Sequence, residues 1–138
     1  MKTLRHRSGA ALAASVALFA ALGCAQAQEK VIRIGISMRM VDPIGEIMGK
    51  FALDKIDALN AAGGINGAKL EATLMNDDCN AAKAVQVVSR LIYEKRAHVI
   101  IAPTCSTASL ATNEISLKAG VPTVMNNSAM TALTQKGN

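Results

Sequence analysis

Two short clusters hold the residue types that could do chemistry: Asp77-Asp78-Cys79 and Cys105-Ser106-Thr107. Paired acids at a strand end hold magnesium in receiver-type α/β folds. Here the pair follows the second predicted strand instead of the first, so it reads as a solvated turn that caps the next helix. Cys105 beside Ser106 would need a histidine partner to act as a nucleophile. The histidines are His6 and His98, and they form no cluster with zinc-ligand spacing. No phosphate-binding loop or dinucleotide glycine pattern occurs. The residues therefore predict no metal, no cofactor and no catalysis. Pro103-Thr-Cys-Ser-Thr107 leads from an apolar run into a helix. Unpaired amides and the positive dipole end at such a point favour an anion, a carboxylate or a small phosphate. Ser106 and Thr107 can add hydroxyl donors. Ser106 as a plain helix cap needs no ligand, and the local sequence leaves both readings open.

Alternating elements must position these loops. Val31–Ile36 is a β-branched run that predicts a buried strand. A helix follows from Ile44 to Ala62, with Ile47, Met48, Phe51, Leu53, Ile56 and Leu59 expected on its apolar face. Gly63-Gly64 ends it. Ala68 to Met75 alternates as a second strand, and Asp78 or Asn80 caps a helix over Ala81 to Lys95. His98 to Ala102 is apolar enough for the centre of a parallel sheet. A third helix opens at Ser106 or Thr107, runs to Ala119 and stops at Gly120. Pro122 to Met125 is a fourth strand, Asn126 to Met130 a polar loop, and Thr131 to Gln135 a last half-turn. Strand and helix in alternation with short links predict an α/β fold with a doubly wound parallel sheet. Ligands of such sheets bind at the carboxyl ends of the strands. The candidate loops are thus Ser37–Gly45, Asn76–Asn80, Pro103–Thr107 and Asn126–Met130.

The first residues bound the compartment. Lys2, Arg5 and Arg7 precede an uncharged apolar run from Gly9 to Gly23, and Ala25-Gln26-Ala27 supplies a small-x-small cleavage pattern. Residues 1–27 are expected to be a cleavable signal peptide, with residues 28–138 exported to the periplasm. The apolar run falls short of the roughly 20 residues that span a bilayer. A lipoprotein with Cys24 as the lipidated residue is the second reading, and a retained anchor the third. Of the formal net charge of +5, the signal carries three basic residues and no acidic one, leaving +2. The basic balance therefore does not point to nucleic acid. Phe51 and Tyr93 are the aromatics that remain after cleavage, too few for base or sugar stacking. Either treatment of Cys24 leaves Cys79 and Cys105 in an oxidising compartment, where a bridge is the default.

The segment Ile56-Asp-Ala-Leu-Asn-Ala-Ala-Gly-Gly-Ile-Asn-Gly67 followed by Ala68-Lys-Leu-Glu71 closely resembles the Leu/Ile/Val-binding proteins of bacterial ABC importers. Asn76–Cys79, Ala84-Val85, Cys105-Ser106, Ala119–Pro122 and Leu133–Gly137 fall in register with the same family. The resemblance implies a type I periplasmic binding protein, which closes two lobes on its ligand. It implies a Cys79–Cys105 disulfide and a Ser106 that binds the ligand carboxylate through its hydroxyl and amide. A loop after the fourth strand, here Asn127, Ser128 and Ala129, is implied to complete the ligand site. Ala129 stands where the family usually has threonine. Met38–Pro43 lacks the usual Ser/Thr-Gly turn, and Ile44 stands where branched-chain members have an aromatic residue. The implied function is the extracytoplasmic solute-binding component of an ABC importer for branched-chain or related amino acids. Its implied partners are an amino-acid-like ligand and a membrane permease, and the protein is expected to be a monomer. A ligand-sensing domain of the same fold is the alternative, and a receiver-like or redox enzyme ranks third. Members of the family run to several hundred residues, so residues 28–138 are expected to be part of an N-terminal lobe and to bind amino acids very weakly alone.

Overall fold

The computed structural model describes residues 30–133 and 135. The expected signal peptide, with Cys24 and His6, lies outside the described residues, as do Lys136 and Gly137 of the resemblance. The elements run β1 (Val31–Met38), α1 (Pro43–Ala61), β2 (Lys69–Asn76), α2 (Ala81–Ser89), a π-helical turn (Arg90–Glu94), β3 (Val99–Ile101), α3 (Ser106–Ala119), β4 (Thr123–Val124) and a 3-10 turn (Thr131–Leu133). The strands form a parallel sheet in the order β2-β1-β3-β4. Strand order reverses between β1 and β3, as the doubly wound α/β reading requires.

Alternation along the strands divides the interior into two layers. Ile36, Met38 and Leu70 face α1, where they pack with Ile56. Ile100 faces the other way and packs with Val87, Val88, Leu91, Ile92 and Ala97. Each fully buried side chain of this size contributes about 1.5–3 kcal/mol. Gly35 of β1 faces the second of these layers. A Cβ there would fall 2.7 Å from Ile100 Cδ1 and 3.0 Å from Leu91 Cβ, so glycine lets the π-helical turn approach β1.

Helix ends follow local chemistry. The Asp42 side chain accepts from the Gly45 amide at 2.9 Å, and Pro43 occupies the first turn, so α1 starts one residue before the sequence pattern suggests. The Asn60 side chain donates to Leu70 O and accepts from Leu70 N, each at 2.8 Å, which fastens the end of α1 to β2. Asn80, and not Asp78, caps α2 by accepting from Lys83 N at 2.9 Å.

Two expectations need correction. The helix expected over Ala81 to Lys95 widens after Ser89: Lys95 N bonds to Arg90 O and Ala97 N to Leu91 O, both at 3.0 Å. Leu91 and Ile92 remain buried through this widening, and Arg96 at φ 55 turns the chain into β3. The apolar face of α1 is also narrower than its pattern suggests. Ile56 is buried, and Met48 and Leu53 are half-buried. Ile47, Phe51 and Leu59 stay 68%, 60% and 44% exposed. Gly49 and Ala52 bring the helix close to the sheet, and Gly45 brings its start against Arg39 of the first loop, which turns the larger residues to its flank.

Candidate functional site

Register sets the level of the loops at the carboxyl rim. Ile36 pairs with Ile101, and Ile101 with Val124. Two residues farther along, Met38, Pro103 and Asn126 bring β1, β3 and β4 to the rim, with adjacent strands about 4.8 Å apart. The three following loops therefore stand side by side at the reversal of strand order. The fourth candidate loop, Asn76–Asn80, ends β2 on the far side of β1.

α3 begins in the middle of this group. Its cap position is Cys105, which makes no side-chain capping bond, so Ser106 is the first helical residue and not the cap. The first helical backbone bond runs from Ser109 N to Cys105 O at 2.9 Å. The amides of Ser106, Thr107 and Ala108 thus have no intrahelical acceptor. Ser106 Oγ accepts from Ala129 N at 3.1 Å, which ties the start of α3 to the loop after β4. This bond uses a lone pair and leaves the hydroxyl proton available as a donor. Thr104 Oγ1, in the same loop, is buried without a hydrogen-bond partner.

The four expected ligand residues divide by role. Ser106 and Ala129 meet, and Asn127 is exposed beside them. Ser128 is turned inward: its Oγ lies 2.7 Å from Ser109 Oγ and 3.2 Å from Pro103 O, and its single proton is shared between these two acceptors. Ser109 Oγ donates to the same carbonyl at 2.6 Å. Ser128 therefore braces the loop against α3. Ser109, buried on α3, is the partner that the sequence pattern did not single out.

The acidic cluster is also structural. Asp77 is fully buried and accepts from Ser37 Oγ and from Cys79 N, each at 2.8 Å. Asp78 pairs with Lys83, and the hydrogen bond from that ammonium holds its carboxyl below the usual value. Neither carboxylate is left for a metal, and no group of three metal-ligating side chains occurs among the described residues. Asp78 and Cys79 are both left-handed, at φ 53 and φ 57, and this tight turn directs Cys79 toward the loop after β3. There it forms the expected disulfide with Cys105, with Cα atoms 5.5 Å apart. The first loop holds an Arg39–Asp42 ion pair at 2.8 Å.

Comparison with known proteins agrees with this architecture. The family model described as periplasmic binding protein matches residues 41–138. An amino acid binding protein from Pseudomonas aeruginosa is 30% identical over 67% of this chain and 25% of its own length. The leucine-, isoleucine-, valine-, threonine- and alanine-binding protein of the same organism is 26% identical over 91% of this chain and 33% of its own. Among solved structures, the branched-chain amino acid transporter substrate binding protein of Streptococcus pneumoniae in complex with isoleucine superposes with a TM-score of 0.71. It is 28% identical, over 77% of this chain and 31% of that one. The chain thus spans a quarter to a third of the length of these relatives. With the matched segment covering most of the sequence, the chain belongs to the periplasmic binding protein family.

Proposed function

We propose that this chain forms part of the N-terminal lobe of an extracytoplasmic solute-binding component of an ABC importer. Its ligand on this reading is a branched-chain or related amino acid, delivered to a membrane permease. The basic, apolar and small-residue succession over residues 1–27 supports export by a cleavable signal. The observation that carries the ligand site is the uncapped start of α3. The Ser106 and Thr107 amides, without intrahelical acceptors, and the Ser106 hydroxyl proton lie at the helix start that Ser106 Oγ ties to the loop after β4, where Asn127 and Ala129 are exposed. A carboxylate matches this set in charge and in acceptor capacity. The isoleucine complex of the Streptococcus pneumoniae relative supports an aliphatic amino acid as the carrier of that carboxylate.

One lobe rim offers half of a two-lobe site, so the chain by itself is expected to bind in the millimolar range and not the micromolar. Isotope-labelled chain titrated with leucine, isoleucine and valine tests the reading by amide chemical shifts. Shifts confined to Ser106–Ala108 and Asn127–Ala129 support it. Unchanged shifts at those amides under saturating amino acid would contradict the ligand assignment. Micromolar affinity by calorimetry would contradict the shared two-lobe site.

A further inference from the structure

At the opposite end of the sheet from the carboxyl rim, the amino ends of β1 and β3 meet the π-helical turn and the exit of α3. Together they form an open cavity of about 560 Å³, with Arg33, Tyr93, Arg96 and His98 around it and the buried Ala97 and half-buried Val121 as its floor. No carboxylate lines it. Every lining residue lies between β1 and the link from α3 to β4, on the face that α2 and α3 cover. The cavity is therefore shaped by elements consecutive in the chain and not by the outer edge of β4.

We propose that this cavity binds a phosphate group, carried by a soluble molecule or by a lipid. Backbone bonds hold the donors in place. Arg33 N donates to His98 Nδ1 at 3.2 Å, and His98 N donates to Arg33 O at 2.8 Å, which fixes the ring beside β1. Because Nδ1 accepts, the neutral ring carries its proton on Nε2, a donor free of that contact. Arg96 sits at φ 55 in the turn into β3, and among the described residues no carboxylate pairs with it. The acids of the flanking elements are held by other cations, Glu94 by Arg90 and Glu114 by Lys118. Glu71 reaches Arg33 Nε only at 3.7 Å, beyond hydrogen-bond length, with both side chains about half exposed. Such a pair is worth little and yields to a better acceptor. Phosphate carries about −1.5 to −2 charge and three acceptor oxygens. It thus offers one oxygen to each guanidinium group and one to the imidazole, and its geometry matches the guanidinium fork. The exposed Tyr93 hydroxyl adds a donor at the mouth.

Isotope-labelled chain titrated with inorganic phosphate, and with chloride at equal ionic strength, tests the proposal. Saturable shifts of the Tyr93, Arg96 and His98 amides and of the His98 ring, absent with chloride, are expected. Arg96→Asn, which suits the left-handed position, and Arg33→Gln should each weaken binding about tenfold, as loss of a charge-assisted hydrogen bond does. Both side chains lie at the surface, so unchanged far-ultraviolet circular dichroism is expected for each variant. Arg90→Gln removes the same charge from the π-helical turn but outside the cavity, and should leave the affinity within about twofold. Vesicles of phosphatidylcholine with and without phosphatidic acid separate the two sources. Flotation of the chain only with phosphatidic acid, lost in Arg96→Asn, assigns a lipid-borne group. Saturable binding of free phosphate without flotation assigns a soluble one. No saturable response to either probe, a response shared with chloride, shifts at Ser106–Ala108 without shifts here, or equal weakening by Arg90→Gln and Arg96→Asn overturns the proposal.

Discussion

Reduction of the Cys79–Cys105 bridge should remove a large share of the stability of this chain. The cysteines lie 26 positions apart. In the chain-entropy relation, a loop of that length corresponds to about 3.5 kcal/mol of destabilisation when opened. Domains of this kind are stable by only about 5–15 kcal/mol in total. The bridge joins the turn after β2 to the start of α3, two segments otherwise linked through the sheet, so nothing local replaces it. Urea unfolding of oxidised and reduced protein at neutral pH is the assay. Both forms keep a cysteine at the left-handed Cys79 position, so backbone strain there does not enter the difference. Protein concentration is held fixed, because association would shift the apparent stability. With a urea slope of about 1.5 kcal/mol/M, the midpoint should fall by about 2 M. The slope should rise as the reduced unfolded chain expands. A loss below about 1 kcal/mol would refute the loop-closure reasoning.

Asp77→Ala should cost about 2–4 kcal/mol, because it leaves the buried Ser37 hydroxyl and the Cys79 amide without their acceptor; equal urea midpoints for variant and parent would count against this. Gly45→Ala should disrupt the first loop, since the added Cβ would fall 1.6 Å from Arg39 O; an unchanged amide spectrum over residues 38–45 would contradict that. The Lys83 hydrogen bond lowers the Asp78 pKa from 3.8, so its contribution is complete above that value and is lost as pH falls through the lower folded value. In Lys83→Ala this acid-side loss should shrink, as unfolding measured against pH will record. Lys118 behaves oppositely: the hydrogen bond from its ammonium to Glu114 raises its pKa from 10.5, so its contribution is present below that value and lost as pH rises past the folded one. Glu114→Gln should flatten that alkaline limb.

The order of elements was legible because hydrophobic period and turn residues agree along the chain. Val31–Ile36, the Gly63-Gly64 exit and the Gly120 stop all lie where their chemistry places them, and Gly120 is left-handed at φ 66. The Asp42-Pro43 start of α1 carried a cap signal that the apolar pattern alone misses by one residue. The burial of α1 was less legible. Apolar spacing reports which side of a helix is greasy, but small residues decide how it approaches the sheet. Gly49 and Ala52 set a narrower contact, and Phe51 was left outside it. The rim shows the same limit. Ser106 was singled out for its place before a helix, whereas its bond to Ala129 N joins residues 23 positions apart and depends on sheet order. Ser128 looked like a ligand hydroxyl in the sequence, and only the adjacency of β3 and β4 reveals its brace to Ser109 and Pro103.

The central claim is that the start of α3 receives a ligand carboxylate. Amide shifts recorded with leucine and with leucinamide, which lacks that charge, test it most directly. The account predicts that leucine moves the Ser106, Thr107 and Ala108 amides, that leucinamide leaves them in place, and that Ser106→Ala weakens the leucine response. Equal shifts with both compounds, or leucine shifts that survive Ser106→Ala undiminished, would contradict it.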